Sequence, residues 1–160
     1  MDSCCVPESS QSGDIVINCP ACGNRGANVE LRTIKGLLTS DALPRLQCLS
    51  HRFCKSPSCD VVYYDEAGAT YQTSDVRSLI WQKAAEGNRT ICYCFGETEA
   101  ALRADVEHNT SDVIDRVRAH IGAARCACDI RNPRGACCLG DLTSIMKRLK
   151  AEMAAPGTRT

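Results

Sequence analysis

The sequence predicts an α+β protein built as two metal-stapled lobes, a small β-rich one followed by a helical one. Three observations lead there. Cysteine occupies 13 of 160 positions, mostly in short-spaced groups. Runs of β-branched and aromatic residues crowd the first half, whereas in the second half apolar residues recur at helical spacing. With 44% hydrophobic and only 4% aromatic residues, neither lobe can build a large core, so each needs a staple.

Metal ligation is the use of cysteine that fits this chain. The opening MDSCCVPESSQSGD has neither a basic nor an apolar signal region, and no apolar run is long enough to span a membrane. That predicts a cytoplasmic protein, with no membrane insertion, whose thiols stay reduced. The cysteine count is odd, and C-x-C and C-x2-C spacings suit metal better than disulfides. A formal net charge of +0 offers no basic footprint for nucleic acid. No nucleophile and base pair, phosphate loop or paired carboxylates stand at a recognisable spacing, so the chain is not expected to be a conventional enzyme.

Residues 1–13 read as a flexible arm bearing the vicinal pair Cys4-Cys5, two exposed thiols that could also receive a soft metal. The first lobe is expected over 14–88. A short strand at Ile15 to Asn18 runs into Cys19-Pro20-Ala21-Cys22-Gly23, a zinc-knuckle turn in which two intervening residues let both sulfurs face one ion. Cys54 and Cys59, followed by the strand-like Asp60 to Tyr64, supply the second pair of a Cys4 zinc site. Cys48 and His51 lie close enough in sequence to substitute for one sulfur. The simpler assignment makes Cys48 a small buried apolar residue and His51 a surface residue or a support to the ligands. Between the pairs, VELRTIKGLLTSDALPRL suggests a strand and then an irregular connection.

Val61 to Thr73 reads as a hairpin turning at Asp65-Glu66-Ala67-Gly68. Val76 to Trp81 fits either a further strand or a short helix, with Trp81 sealing the core. The polar stretch QKAAEGNRT marks a domain boundary near residues 84–90.

The second lobe, 89–154, opens with Cys92-Tyr93-Cys94-Phe95-Gly96 and closes with RCACDIRNPRGACCLGDL. Thr98 is placed to cap a helix, with Glu97 and Glu99 at the positive end of its dipole. Asn109 to Ser111 interrupts it. A second helix runs from Asp112 to Gly122 with Val113, Ile114, Val117 and Ile121 on one face, and a third runs from Leu139 to Met153 with Leu142, Ile145, Met146 and Leu149 buried. Residues 155–160 form a tail. His108 and His120 have no cysteine at ligand spacing and are expected to be solvated or packed.

Two cysteines precede the first helix and two more, Cys137 and Cys138, precede the last. Free amides at helix N-termini stabilise the negative charge of a thiolate-ligated cluster. A two-iron two-sulfur cluster spreads four thiolates over two irons and tolerates C-x-C spacing better than a zinc tetrahedron does. Spacing leaves open Cys126 or Cys128, and Cys137 or Cys138.

These motifs resemble a known family. Cys92-Tyr93-Cys94-Phe95, the closing Asn132-Pro133-Arg134-Gly135-Ala136-Cys137-Cys138, the upstream Cys19-Pro20-x-Cys22 and the Phe53 to Tyr64 segment look like the N-terminal region of CopZ-type copper chaperones. The second half is similar to the bacterioferritin-associated ferredoxin (BFD-like) fold. The resemblance implies one zinc on Cys19, Cys22, Cys54 and Cys59, and one 2Fe-2S cluster on Cys92, Cys94, Cys128 and Cys138. Cys4, Cys5, Cys126 and Cys137 are then candidate thiols for Cu+ or another soft metal.

The leading expectation is a role in copper or other soft-metal homeostasis, in which a cluster's single electron is enough to convert Cu(II) to Cu(I) and spare thiols then accept the ion. The implied partners are a copper-transport ATPase, a heavy-metal-domain chaperone or a redox protein. CopZ-type chaperones continue into a heavy-metal domain with a Met-x-Cys-x-x-Cys loop, and nothing like it follows Thr160, so that carrier part is expected to be missing. The competing expectations are a ferredoxin-like electron carrier without a copper role, and an iron-sulfur sensor or interaction module.

Overall fold

A computed structural model describes residues 15–155, so Cys4 and Cys5 lie outside the described residues. The chain divides into two units. The first runs to Ala84 and also contains Asp129–Gly135; the second comprises Ala85–Cys128 and the residues from Ala136 onward.

The first unit is a four-stranded antiparallel sheet in the order β1 (Ala27–Val29), β2 (His51–Phe53), β3 (Val61–Asp65) and β4 (Thr70–Gln72). All five residues of β3 are buried, as suits a Val-Val-Tyr-Tyr run placed centrally. The β3–β4 hairpin turns at Asp65 to Gly68 as expected, because Asp65 Oδ1 accepts from the amides of Ala67 (3.0 Å) and Ala69 (2.9 Å).

Helix α1 (Leu31–Leu37) occupies the stretch expected to be a strand and an irregular connection. Its β-branched residues favour a strand locally, but Thr33, Ile34 and Leu37 are buried on one helical face. Ile34 and Leu37 join Val29, Phe53, Tyr63 and Tyr71 in the core.

Other expectations fail for want of a partner strand or of burial. Ile15 to Asn18 forms only a bridge from Asn18 to Arg25, and Ile15 and Ile17 stay exposed. Val76 makes an isolated bridge to Leu38, and Trp81 starts a single 3-10 turn. Trp81 is half-buried, so the core is sealed by Phe53, Tyr63, Tyr64 and Tyr71, each at most 1% exposed.

The second unit begins with a hairpin not expected from the sequence, β5 (Thr90–Cys92) and β6 (Glu97–Thr98). Helices α2 (Glu99–His108), α3 (Asp112–Gly122) and α5 (Leu139–Ala154) pack on one another; the single turn α4 (Cys128–Arg131), which lies between the last two in sequence, belongs from Asp129 onward to the first unit. Thr98 Oγ1 accepts from the Ala101 amide at 3.2 Å, the expected cap, and Asn109 closes α2 in the left-handed region (φ 54°). Leu142, Ile145, Met146 and Leu149 form the buried face of α5, while on α3 Val113, Ile114 and Val117 are buried and Ile121 only partly so.

Glu99 does more than face the helix dipole. It is fully buried and accepts from Arg89 (2.8 and 2.9 Å), Arg148 (2.7 Å) and the Gly87 amide (2.9 Å). Among the described residues, no helix is long and apolar enough to cross a membrane.

Candidate metal centres

In the first unit, the Cys19 to Gly23 turn closes through the Gly23 amide on the Cys19 carbonyl (2.8 Å), with Gly23 at φ 72°. Cys54 follows β2 and Cys59 precedes β3, so sheet pairing brings the second turn against the first. The four sulfurs of Cys19, Cys22, Cys54 and Cys59 lie within 4.8 Å of one another, with Cys19 and Cys59 at 3.9 Å and Cys22 and Cys54 at 3.6 Å. Tetrahedral zinc with bonds of about 2.3 Å requires sulfurs about 3.8 Å apart, so the donor set fits zinc.

The surroundings distinguish these thiols. Cys22 Sγ lies 3.4 Å from Ser56 Oγ and 3.6 Å from Asn24 Nδ2, which also donates to Ser56 Oγ at 2.8 Å. The Ser56 hydroxyl first, and the Asn24 backbone next, bring the Cys22 thiol down to about 6. Burial pushes Cys59 up to about 12 and raises Cys54. Lys83 Nζ donates to the carbonyls of Ser56 (2.9 Å) and Cys59 (2.7 Å), holding the second turn and setting a positive charge near the thiolates.

Neither substitute ligand joins this group. His51 is buried in β2, not at the surface, and its Nδ1 lies 2.8 Å from the Leu49 carbonyl. Cys48 is exposed and disulfide-bonded, so it is neither the expected buried apolar residue nor a thiolate donor.

The second unit arranges its cysteines differently. Cys92 ends β5 and Cys94 sits in the following turn, so the first pair belongs to a hairpin that leads into α2. Cys94 and Cys128 sulfurs are 3.6 Å apart, and the side chains of Cys92 and Cys138 hydrogen-bond to each other. Among the described residues, these four form no compact group like that of the first unit.

Two close pairs are what two tetrahedral irons require, each taking two thiolates, whereas one zinc would draw all four together. Of the alternatives open in the sequence, it is Cys128 that meets Cys94 and Cys138 that meets Cys92. Cys126 and Cys137 are exposed. The Ala127 amide donates to Cys94 Sγ at 3.2 Å, and Cys138 stands at the N-terminus of α5.

Interaction with Cys138 brings the Cys92 thiol down to about 7, against a smaller opposing effect of burial. Cys138 is correspondingly raised, and burial pushes Cys128 up to about 12. His108 is exposed, with Nδ1 2.8 Å from the Ala104 carbonyl, while His120 stacks on Phe95 at 4.3 Å.

Residues 17–77 match a family described as a zinc binding domain, zf_CopZ. The first lobe, which joins an antiparallel sheet to a Cys4 group, is thus similar to zinc-binding domains of that description.

A curated relative is the copper chaperone CopZ of Archaeoglobus fulgidus, 25% identical over 124 residues, or 77% of this chain and 58% of the relative. The chain therefore spans little more than half of that protein's length. The X-ray structure of the Archaeoglobus fulgidus CopZ N-terminal domain is similar with a TM-score of 0.66 and 26% identity, over 80% of this chain and 96% of that one.

Proposed function

We propose that this protein is a zinc- and 2Fe-2S-binding accessory protein of copper or another soft metal's homeostasis, acting in the cytoplasm. The observation that carries this reading is the contrast between the two cysteine groups. One is compact enough for a single zinc; the other is split into pairs suited to two irons. Similarity to a copper chaperone supports copper as the metal handled.

In this reading Cys19, Cys22, Cys54 and Cys59 hold the zinc. Cys92 with Cys138 and Cys94 with Cys128 hold the cluster, in a helical lobe resembling bacterioferritin-associated ferredoxin. Such a cluster supplies one electron at a time, the amount that converts Cu(II) to Cu(I).

The chain's own groups provide the setting for that chemistry. Cys92 and Cys138 are buried and keep water from one end, while Cys94 and Cys128, half-buried, lie nearer solvent. The Ala127 amide and the start of α5 stabilise the anionic sulfurs. Cys126 and Cys137 are exposed thiols suited to accept Cu(I). Cys4 and Cys5 are further candidates. Delivery would then involve a copper-transport ATPase or a heavy-metal-domain chaperone, and a redox protein would return the electron.

Anaerobic purification with metal analysis and EPR tests the reading. Zinc is expected with twice its amount of iron and of labile sulfide, and with a reducible cluster signal. Zinc without iron or labile sulfide would sink the cluster assignment. Reversible cluster reduction with no retention of Cu(I) would instead leave an electron carrier without a copper role.

A further inference from the structure

The loop between the last cysteines does not belong wholly to the unit that carries their sulfurs. Asp129–Gly135 is part of the first unit, whereas Cys128 on one side and Ala136 to Cys138 on the other belong to the second. Within the first unit this strap is held at several points along its length. The hydroxyl of Thr33, on α1, donates to the Asp129 carbonyl, and Arg32 Nη1 lies 3.4 Å from Asp129 Oδ2. Tyr63, in β3 and fully buried, donates its hydroxyl to the Pro133 carbonyl at 2.6 Å.

The end of the strap is fixed by a close approach. Gly135 takes φ 68°, and a Cβ there would come 3.0 Å from Thr33 Oγ1 and 3.5 Å from Val29. The strap is also braced internally. Asn132 is 2% exposed, its Oδ1 accepts from the Arg134 amide (3.0 Å), and its carbonyl accepts from the Gly135 amide (2.7 Å).

A cysteine sulfur can move only a few ångströms while its backbone neighbour stays fixed. Cys128 is bonded directly to Asp129, and Cys138 follows Gly135 by three residues. Held by β1, α1 and β3, the strap thus confines the Cys128 sulfur to within a few ångströms and tethers Cys138 more loosely, to within about 10 Å of Gly135.

We propose that Thr33, Tyr63 and Gly135 of the zinc lobe are positioning residues for the iron-sulfur cluster, holding through the Asp129–Gly135 strap the loop that presents Cys128 and Cys138. This rests on the cluster reading above. It makes the zinc lobe a structural condition for a stable cluster, although none of its own cysteines ligates iron.

The test uses the full chain purified anaerobically, with variants Tyr63→Phe and Gly135→Ala and the control Tyr71→Phe. Tyr71 is equally buried in the same sheet, but its hydroxyl donates to the Arg45 carbonyl at 3.0 Å, away from the strap. Zinc content reports that the first lobe is folded. The readouts are cluster lifetime in an iron chelator and the line shape of the reduced cluster's EPR signal.

Tyr63→Phe is expected to keep its zinc yet lose the cluster about tenfold faster, the size typical of removing a residue that orients metal ligands. Its EPR line shape should also be altered. Gly135→Ala should act the same way and more strongly, and Tyr71→Phe should match the wild type in both readouts. Wild-type lifetime and line shape in both strap variants, with iron and zinc in place, would overturn the inference alone. A wild-type protein without iron would overturn the cluster reading and the inference with it. If Gly135→Ala fails to retain zinc, Tyr63→Phe decides.

Discussion

Cys22 shows how one side chain's neighbours set its chemistry. It is the only partly exposed member of the zinc group, and the Ser56 hydroxyl and Asn24 hold its thiol near 6. Protons therefore compete with zinc for Cys22 only in acid, whereas buried Cys54 and Cys59 surrender theirs chiefly to the metal. Ser56→Ala removes the largest of these effects and raises the Cys22 value toward that of an ordinary thiol. The pH of half-maximal zinc release should then move upward, and zinc affinity at neutral pH should fall about tenfold. Chelator competition over a pH series measures both, and an unchanged release curve would exclude the Ser56 role. The largest of these effects is not visible in the spacing of the cysteines, because Ser56 meets Cys22 only once the two turns face each other.

Among the elements, α2 carries the clearest energetic consequence. Burial alone would raise the Glu99 carboxyl, but the Arg89 guanidinium, the Gly87 amide and Arg148 outweigh it and hold Glu99 below the usual range. A carboxylate depressed in the folded state contributes stability that is fully present above its unfolded value of about 4.3 and is lost as pH falls through the folded value. Acid unfolding of the second unit should therefore be less pH-dependent in Glu99→Gln than in the wild type.

Because Arg89 is only 9% exposed at its side chain, the same substitution leaves a buried cation without its carboxylate and should cost about 3 kcal/mol near neutral pH. Denaturant titrations at several pH values test both effects. In the first unit, Ile34→Ala should cost about 3 kcal/mol, since the Ile34 side chain is wholly buried in the core beneath the sheet. A cost below about 1 kcal/mol would show that α1 is not the packed element described here.

For the molecule as a whole, the division of the chain has a direct consequence for fragments. A piece comprising residues 15–84 contains the zinc cysteines and the entire four-stranded sheet but lacks Asp129–Gly135. Its Tyr63 hydroxyl would lose the hydrogen bond to the Pro133 carbonyl, and such a bond contributes about 1 kcal/mol. The zinc-loaded fragment should fold but melt below the first unit of the intact chain. A longer fragment carrying residues 129–135 through a flexible linker should recover part of the difference. Equal melting of fragment and intact chain would show that the strap contributes nothing to the lobe.

Much of this protein is legible along the chain because the relevant signals are local. A C-x2-C turn and a C-x4-C turn beside strand-forming residues announce the zinc group. The spacing of Leu142, Ile145, Met146 and Leu149 announces α5, and Thr98 announces the start of α2. Helix α1 is not legible in this way, because Thr33 and Ile34 favour strands locally and packing against the sheet overrides that preference. The choice of Cys128 over Cys126 and of Cys138 over Cys137 as the partners of Cys94 and Cys92 is equally out of reach, since neighbouring cysteines share the same local signals. Contacts between residues far apart in the chain make that choice, as they do in joining Asp129–Gly135 to the zinc lobe through Tyr63 and Thr33. Short-range periodicity and turn chemistry thus specify which residues can serve as ligands, and long-range packing specifies which sulfurs meet.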